Sequence, residues 1–170
     1  TEEITTQTKF ILLHVGGGWE YKRWQETKWV QLINQISKTV LVIVIGGKGE
    51  QTLVEQIKSQ IPENPNIQYK ITNFEEIIQL TKNCQFFIGL DSGPMNLAVC
   101  LGKPVISLFG PGDSSMWYPY TSHSQWIHKK EGFSCNPCFQ TNCFFPQKSC
   151  MASIEVEEVY SMVNYALASL

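Results

Sequence analysis

Long apolar runs are missing from this chain. None reaches the roughly 20 residues that cross a bilayer, so no transmembrane segment is expected. The first ten residues are polar, and no secretory signal is read in them. Charge is sparse: charged residues make up 16% of 170, with a net of −2, which argues against nucleic acid as a partner. His123 and His128 do not stand at metal-ligand spacing. The G-x-G-x-x-G fingerprint is absent, which leaves a nicotinamide-dependent oxidoreductase with little support. Also absent are a Walker A loop, a D-x-D metal pair, internal repeats and low-complexity linkers. The length suits one domain, 1–170, with a sizeable core.

What is present is an alternation of short apolar runs with helical spacing. Strands are expected at 9–15, 40–45, 67–71, 84–90 and 104–109, with a short last one at 125–128. Residues 40–45 form a continuous aliphatic run, β-branched at every position but Leu41, as in a parallel strand buried on both faces. Helices are expected at 24–37, 51–60, 73–81, 95–101 and, closing the chain, 154–168. Asn73 is placed to cap its helix, with Glu75 and Glu76 at the positive dipole end. Strands separated by single helices imply βαβ units, hence an α/β fold with a parallel sheet and helices on both faces. Residues 129–151 have no periodicity and read as a loop.

The most informative stretch is Gly89-Leu90-Asp91-Ser92-Gly93-Pro94-Met95-Asn96, then Gly102-Lys103-Pro104 and Leu108-Phe109-Gly110-Pro111. It reads as strand, tight turn, short buried helix, strand and loop. Pro94 suits the first helical position, where a missing N–H costs nothing, and Gly102 suits the position just past the helix. A helix N-terminus at the carboxyl end of a strand presents unpaired N–H groups and a positive dipole end, which is where an anion binds in such sheets.

Three glycine-bearing loops fall on that edge. Gly16-Gly17-Gly18 lets backbone approach a ligand closely, and Lys22 and Arg23 stand before the next helix, where Lys22 is a candidate partner for phosphate oxygens. Arg23 is most simply a solvated charge. Gly46-Gly47-Lys48-Gly49-Glu50 offers Glu50 either as a ribose acceptor or as a first-turn helix acid. In the third loop Asp91 either accepts from a sugar hydroxyl or stabilises its own turn, while Ser92 and the N–H groups of Gly93 and Met95 face a diphosphate. Gly112 and Asp113, in the parallel loop after the next strand, complete the candidate set. His14, ending a strand, is read as a structural histidine. Trp117, Tyr118 and Tyr120 are read as capping the cleft or packing beneath its loop.

The block Asp91-Ser92-Gly93-Pro94-Met95-Asn96-Leu97-Ala98, with Gly102-Lys103-Pro104-Val105 and Leu108-Phe109-Gly110-Pro111, resembles the signature of glycosyltransferase family 9. That family contains the ADP-heptose:lipopolysaccharide heptosyltransferases. Lys22-Arg23-Trp24 is similar to the family's Lys-x-Trp, and Cys135-Asn136-Pro137-Cys138 with Cys143, Cys150 and Met151 is similar to its C-terminal region. The resemblance implies the GT-B architecture of two Rossmann-like domains, of which this chain is the C-terminal, donor-binding half. It implies an inverting transferase taking a nucleotide sugar of the ADP-heptose type, with no required cofactor. The missing N-terminal domain would bind a glycan or lipid-linked acceptor. The implied workplace is the cytoplasm, including the inner face of the cytoplasmic membrane. The family's proposed catalytic carboxylate lies in the absent half, so no catalytic residue is assigned. The family usually has histidine where this chain has Asn96, near the donor diphosphate. That departure also keeps a second reading open: a non-catalytic module binding a partner protein through the cysteine loop.

Six cysteines are unevenly placed. Cys84 and Cys100 fall in apolar segments and are expected to be buried. Cys135, Cys138, Cys143 and Cys150 form a cluster open to three readings: a zinc site, disulfides, or unligated thiols. The opening C-x2-C suits zinc, but the later spacings do not match a standard two-knuckle site. The resemblance, to a family not generally metal-dependent, favours free thiols.

Overall fold

Val42, Ile43, Val44 and Ile45 are each fully buried, so the β-branched run is covered on both faces, as its composition requires. The computed structural model describes residues 9–135, 138, 143–145 and 148–169. Its strands are β1 (Phe10–His14), β2 (Leu41–Gly46), β3 (Ile67–Ile71), β4 (Phe87–Leu90), β5 (Val105–Phe109) and β6 (Gln125–His128). Its helices are α1 (Glu26–Ile36), α2 (Gln51–Ser59), α3 (Phe74–Asn83), α4 (Gly93–Cys100), the short α5 (Ser114–Trp117) and α6 (Val156–Ala168). The strands form one six-stranded sheet in the order β3-β2-β1-β4-β5-β6, with every pair parallel.

Strand alternation divides the core in two. Ile11, Leu13, Val42, Val44, Ile88, Ile106 and Leu108 face α1, α2 and α6 on one side. Phe10, Leu12, Ile43, Ile45, Phe87, Val105 and Phe109 face α3 and α4 on the other. The chain runs outward through β1, β2 and β3, then returns to lay β4 beside β1. The direction of winding therefore reverses between β1 and β4, and the loops leaving these strands part there to form a crevice.

Local signals explain most boundaries. Asn73 Oδ1 accepts from the Glu76 N–H at 2.9 Å and Glu76 Oε2 accepts from the Asn73 N–H at 2.8 Å, a reciprocal cap for α3. Gly102 follows α4 with φ of 71°, the left-handed conformation that ends a helix.

Some expectations shift. The helix expected over 24–37 starts at Glu26, because the Trp24 side chain is drawn into the core, edge-on to Trp29 and donating from Nε1 to the Ile154 carbonyl at 3.0 Å. The strand expected from 84 starts at Phe87, since Cys84 still donates its N–H to the last turn of α3. Pro94 is the second rather than the first residue of α4, Ser92 being its N-cap. The closing helix begins at Val156, not 154. Cys100 is exposed, contrary to expectation, because α4 buries Met95, Ala98 and Val99 and turns its last residue outward. Between 129 and 151 no strand or α-helix occurs among the described residues.

Candidate functional site

The loops leaving β1, β2, β3 and β4 enclose an open hollow of about 550 Å³ at the carboxyl edge of the sheet. The first loop lines it with Gly17, Gly18, Trp19 and Lys22, the second with Gly47 and Glu50, the fourth with Asp91, Ser92, Gly93 and Pro94. The third, Thr72 to Phe74, was not singled out by sequence; its signal was available, since Asn73 lies at the carboxyl end of a strand just as the glycine loops do.

Lys22 stands at the end of a single 3-10 turn, 20–22, that folds the loop after β1 back over the sheet. Its ammonium donates to Asp91 Oδ2 at 2.7 Å and approaches the Asp91 carbonyl at 3.4 Å. Asp91 is 8% exposed. On its other side lies Gly112, where an added Cβ would stand only 2.1 Å from Asp91 Oδ2. Gly112 thus makes room for the carboxylate rather than lining the hollow. Arg23 is not the free charge that sequence suggested: its Nε donates to the Gly17 carbonyl at 3.1 Å, holding the glycine loop in place.

Glu50 is similarly embraced. Its Oε2 accepts from the Gly47 N–H at 2.8 Å and lies 3.1 Å from His14 Nε2. A Cβ at Gly16 would fall 1.8 Å from Glu50 Oε1, so glycine is required there for the carboxylate to lie against the backbone. Burial pushes the Glu50 pKa up, but the bond and charge of His14, the Gly47 N–H and the charge of Arg23 outweigh it and hold the carboxyl below its ordinary value. His14 is 4% exposed, with its ring stacked over Phe87 and its Nδ1 buried without a hydrogen-bond partner among the described residues. It borders the hollow and touches a functional candidate, a role beyond the structural one read from sequence.

The start of α4 meets the hollow at Ser92, Gly93 and Pro94. Ser92 Oγ is turned back to the Leu90 carbonyl at 3.1 Å and does not cap the helix. Gly93 lines the hollow, and its N–H belongs to the first turn, whose N–H groups have no partner within a helix. Met95 can contribute only its backbone, since its side chain is fully buried among Phe87, Ala98 and Phe109. Asn96 Nδ2 donates to the Ser92 carbonyl at 3.2 Å, and Asn96 is not among the lining residues. Asp113 also lies outside the lining: it caps α5 through the Ser115 N–H at 2.9 Å and Ser115 Oγ at 2.6 Å, and these bonds lower its pKa. Trp117, Tyr118 and Tyr120 are exposed and do not line the hollow.

A second, much smaller cavity of about 20 Å³ adjoins the first through Trp19, which lines both. Cys135, Cys138, Cys143 and Cys150 all line it, with Tyr21, Phe133 and Phe145 among the apolar walls. Burial pushes the Cys150 thiol up, and the neighbouring Cys143, Cys135 and Cys138 add to the rise. Among the described residues no three such groups already stand close enough to share a metal ion.

Comparison with known proteins places the chain in a family. The family model described as glycosyltransferase family 9 (heptosyltransferase) matches residues 1–149. Lipooligosaccharide heptosyltransferase 2 of Campylobacter jejuni is 30% identical over 152 residues, covering 86% of this chain and 47% of that protein. Lipopolysaccharide heptosyltransferase 1 of Campylobacter coli is 30% identical over 169 residues, covering 95% and 48%. Among solved structures, a family 9 glycosyl transferase from Veillonella parvula superposes with a TM-score of 0.83 at 18% identity, covering 98% of this chain and 48% of that one. The E. coli ADP-heptose LPS heptosyltransferase II superposes with a TM-score of 0.78 at 18% identity, covering 97% and 48%. The chain thus spans about half the length of the relatives it matches, with their fold across its described sheet. On the family match and these relatives together, the chain belongs to glycosyltransferase family 9.

Proposed function

We propose that this chain is the donor-binding half of an inverting glycosyltransferase that takes a nucleoside diphosphate sugar of the ADP-heptose type for lipopolysaccharide synthesis. The observation that carries the reading is the Lys22–Asp91 pair, set across the reversal point of the sheet and beside the N-terminus of α4. A diphosphate at that point meets a cation and a set of N–H donors. Glu50, ionised and held by His14 and Gly47, is the hydroxyl acceptor for the ribose. Asp91 is the corresponding acceptor for a sugar hydroxyl.

In an inverting transfer the acceptor hydroxyl attacks the anomeric carbon while the nucleoside diphosphate departs. Negative charge grows on the leaving phosphate. Lys22 and the first turn of α4 are oriented before the reaction to meet that charge, the largest contribution this half can make. Positioning the acceptor and removing its proton fall to the other half of the enzyme. The reading includes that N-terminal domain and a glycan or lipid-linked acceptor as partners. It also includes a cytoplasmic workplace at the inner face of the cytoplasmic membrane, where charged nucleotide sugars and a lipid-linked acceptor meet.

Calorimetric titration with ADP, UDP and GDP tests the reading. Binding with a preference for ADP supports it, and silence from all three at millimolar concentration sinks it. The family match motivates the ADP preference, and affinity is expected to be modest because residues 1–170 supply one side of the cleft.

A further inference from the structure

His14 is a polar ring in an apolar place. Strand alternation sets it on the α3 and α4 side of the sheet, in line with Phe10 and Leu12, and its ring lies over Phe87 with centroids 6.5 Å apart. Burying an imidazole at such a position costs free energy unless its polar atoms are used. A leucine would fill the place without that cost. The use that His14 finds is Glu50, 36 positions on, whose Oε2 lies 3.1 Å from Nε2.

The partners fix where the ring carries a proton. An ionised carboxylate only accepts, so Nε2 donates to Oε2. Nδ1 has no hydrogen-bond partner among the described residues, so no contact there competes for the orientation of the ring. The Gly47 N–H reaches the same carboxylate oxygen at 2.8 Å. Both donors therefore fall on Oε2, and Glu50 Oε1 takes no hydrogen bond among the described residues. The end torsion of a glutamate is soft and nearly two-fold, so a carboxylate with one donor fewer turns more freely. Two donors on one oxygen remove that freedom. Glycine at 16 leaves the other oxygen its room, since a Cβ there would lie 1.8 Å from Oε1.

We propose that His14 is the positioning residue of the ribose contact: by donating from Nε2 to Glu50 Oε2 it leaves Oε1 as the oxygen offered to the ribose hydroxyls, and so sets the preference of the site for ribonucleotides. The inference rests on the reading of Glu50 as the ribose acceptor and adds the residue on which that acceptor depends. A ribose hydroxyl then meets an acceptor that is already oriented, which lowers the ordering cost of binding. Without the Nε2 donor the carboxylate turns away, and the loss falls on nucleotides that carry the hydroxyls.

Three substitutions separate this role from packing. The amide nitrogen of glutamine reaches about as far as Nε2, that of asparagine only about as far as Nδ1, and leucine supplies bulk without a donor. Calorimetry compares ADP with 2′,3′-dideoxy-ADP, which lacks both ribose hydroxyls, and urea denaturation records the stability of each variant. The parent is expected to prefer ADP by about tenfold or more, the range for a hydrogen bond to a charged group. His14→Leu and His14→Asn are expected to lose most of that preference, His14→Leu without a matching loss of stability, and His14→Gln to keep most of it. Carbon-13 NMR of the Glu50 carboxyl, identified by its absence in Glu50→Ala, needs no nucleotide. Its titration midpoint is expected to rise in His14→Leu and to rise less in His14→Gln, the charge of Arg23 being common to all. An unmoved midpoint in His14→Leu, or equal changes in the leucine and glutamine variants, overturns the proposal, since the Nε2 proton would then not be what orients Glu50. A preference kept in His14→Leu but lost in Glu50→Ala overturns it and leaves Glu50 as the ribose acceptor. A preference absent from the parent, or kept in Glu50→Ala, removes Glu50 from the ribose and the proposal with it.

Discussion

Lys22 Nζ lies 2.7 Å from Asp91 Oδ2, and this ion pair ties the loop after β1 to the loop after β4 across the crevice of the sheet. Asp91 is confined between Lys22 and Gly112, so it has little freedom to turn away. Lys22, with its side chain 28% exposed, keeps a route to solvent. An incoming diphosphate therefore competes with Asp91 for an ammonium that is already aimed at the crevice. The ligand gains a charge-assisted contact without ordering a free lysine, which is the benefit of preorganisation.

Lys22→Ala is expected to weaken nucleoside diphosphate binding by about 1.5–3 kcal/mol, the range for a hydrogen bond to a charged group. Arg23→Ala is expected to cost less, because its guanidinium acts through the Gly17 carbonyl rather than on the ligand. Calorimetry on the two variants separates them. Equal losses would mean that Lys22 has been given the wrong role.

Gly16→Ala is expected to damage the site without touching a ligand directly. The new methyl would occupy the place of Glu50 Oε1. Either the carboxylate leaves its bonds to Gly47 and His14 or the backbone shifts, and overpacking of this kind costs about 1–3 kcal/mol. Urea denaturation measures that cost. The same variant is expected to lose discrimination between ribose and 2′-deoxyribose nucleotides, since Glu50 is displaced. An unchanged discrimination ratio would detach Glu50 from the ribose.

Glu50 also predicts a pH dependence. Its carboxyl titrates below its ordinary value in the folded chain, so the folded state favours the ionised form. The corresponding stability is present above the unfolded pKa and is lost as pH falls through the folded one. Urea midpoints are therefore expected to decline from about pH 5 downward, less steeply in Glu50→Gln than in the parent. Parallel curves would show that the His14 and Gly47 contacts do not stabilise the ionised carboxylate.

Much of this architecture was legible because the parallel strands carry their own mark. Val42 to Ile45 is buried on both faces, and an uninterrupted β-branched run has no other comfortable home. Asn73 and Gly102 announced the ends of helices through chemistry contained in the residues themselves. The start of β4 was less clear, because Cys84 and Phe86 are buried without being strand and an apolar run does not say which of its residues pair. Cys100 was misjudged because its neighbours are apolar while its place at the end of α4 turns it out. Within the site, the glycine loops were visible as glycines, but their purposes were not. Gly16 answers to Glu50, 34 positions on, and Gly112 to Asp91. Such pairings, like the gathering of four cysteines with Trp19, depend on which strands lie side by side.

Asn96→His introduces the residue that the resemblance implies at this position and tests what the departure means. Asn96 now donates to the Ser92 carbonyl in the first turn of α4 and carries no charge. An imidazolium here would add a positive charge at a helix end that already favours anions. In the empty site that same helix end opposes protonation, whereas a bound diphosphate favours it. Diphosphate binding is therefore expected to strengthen in Asn96→His, more at about pH 6 than at about pH 8, with uptake of a proton on binding. Calorimetry in buffers of different ionisation enthalpy detects that proton. Unchanged affinity across this range with no proton uptake would place the side chain at 96 away from the diphosphate. The asparagine would then serve the helix turn alone, and donor binding would rest on Lys22 and the N–H groups of α4.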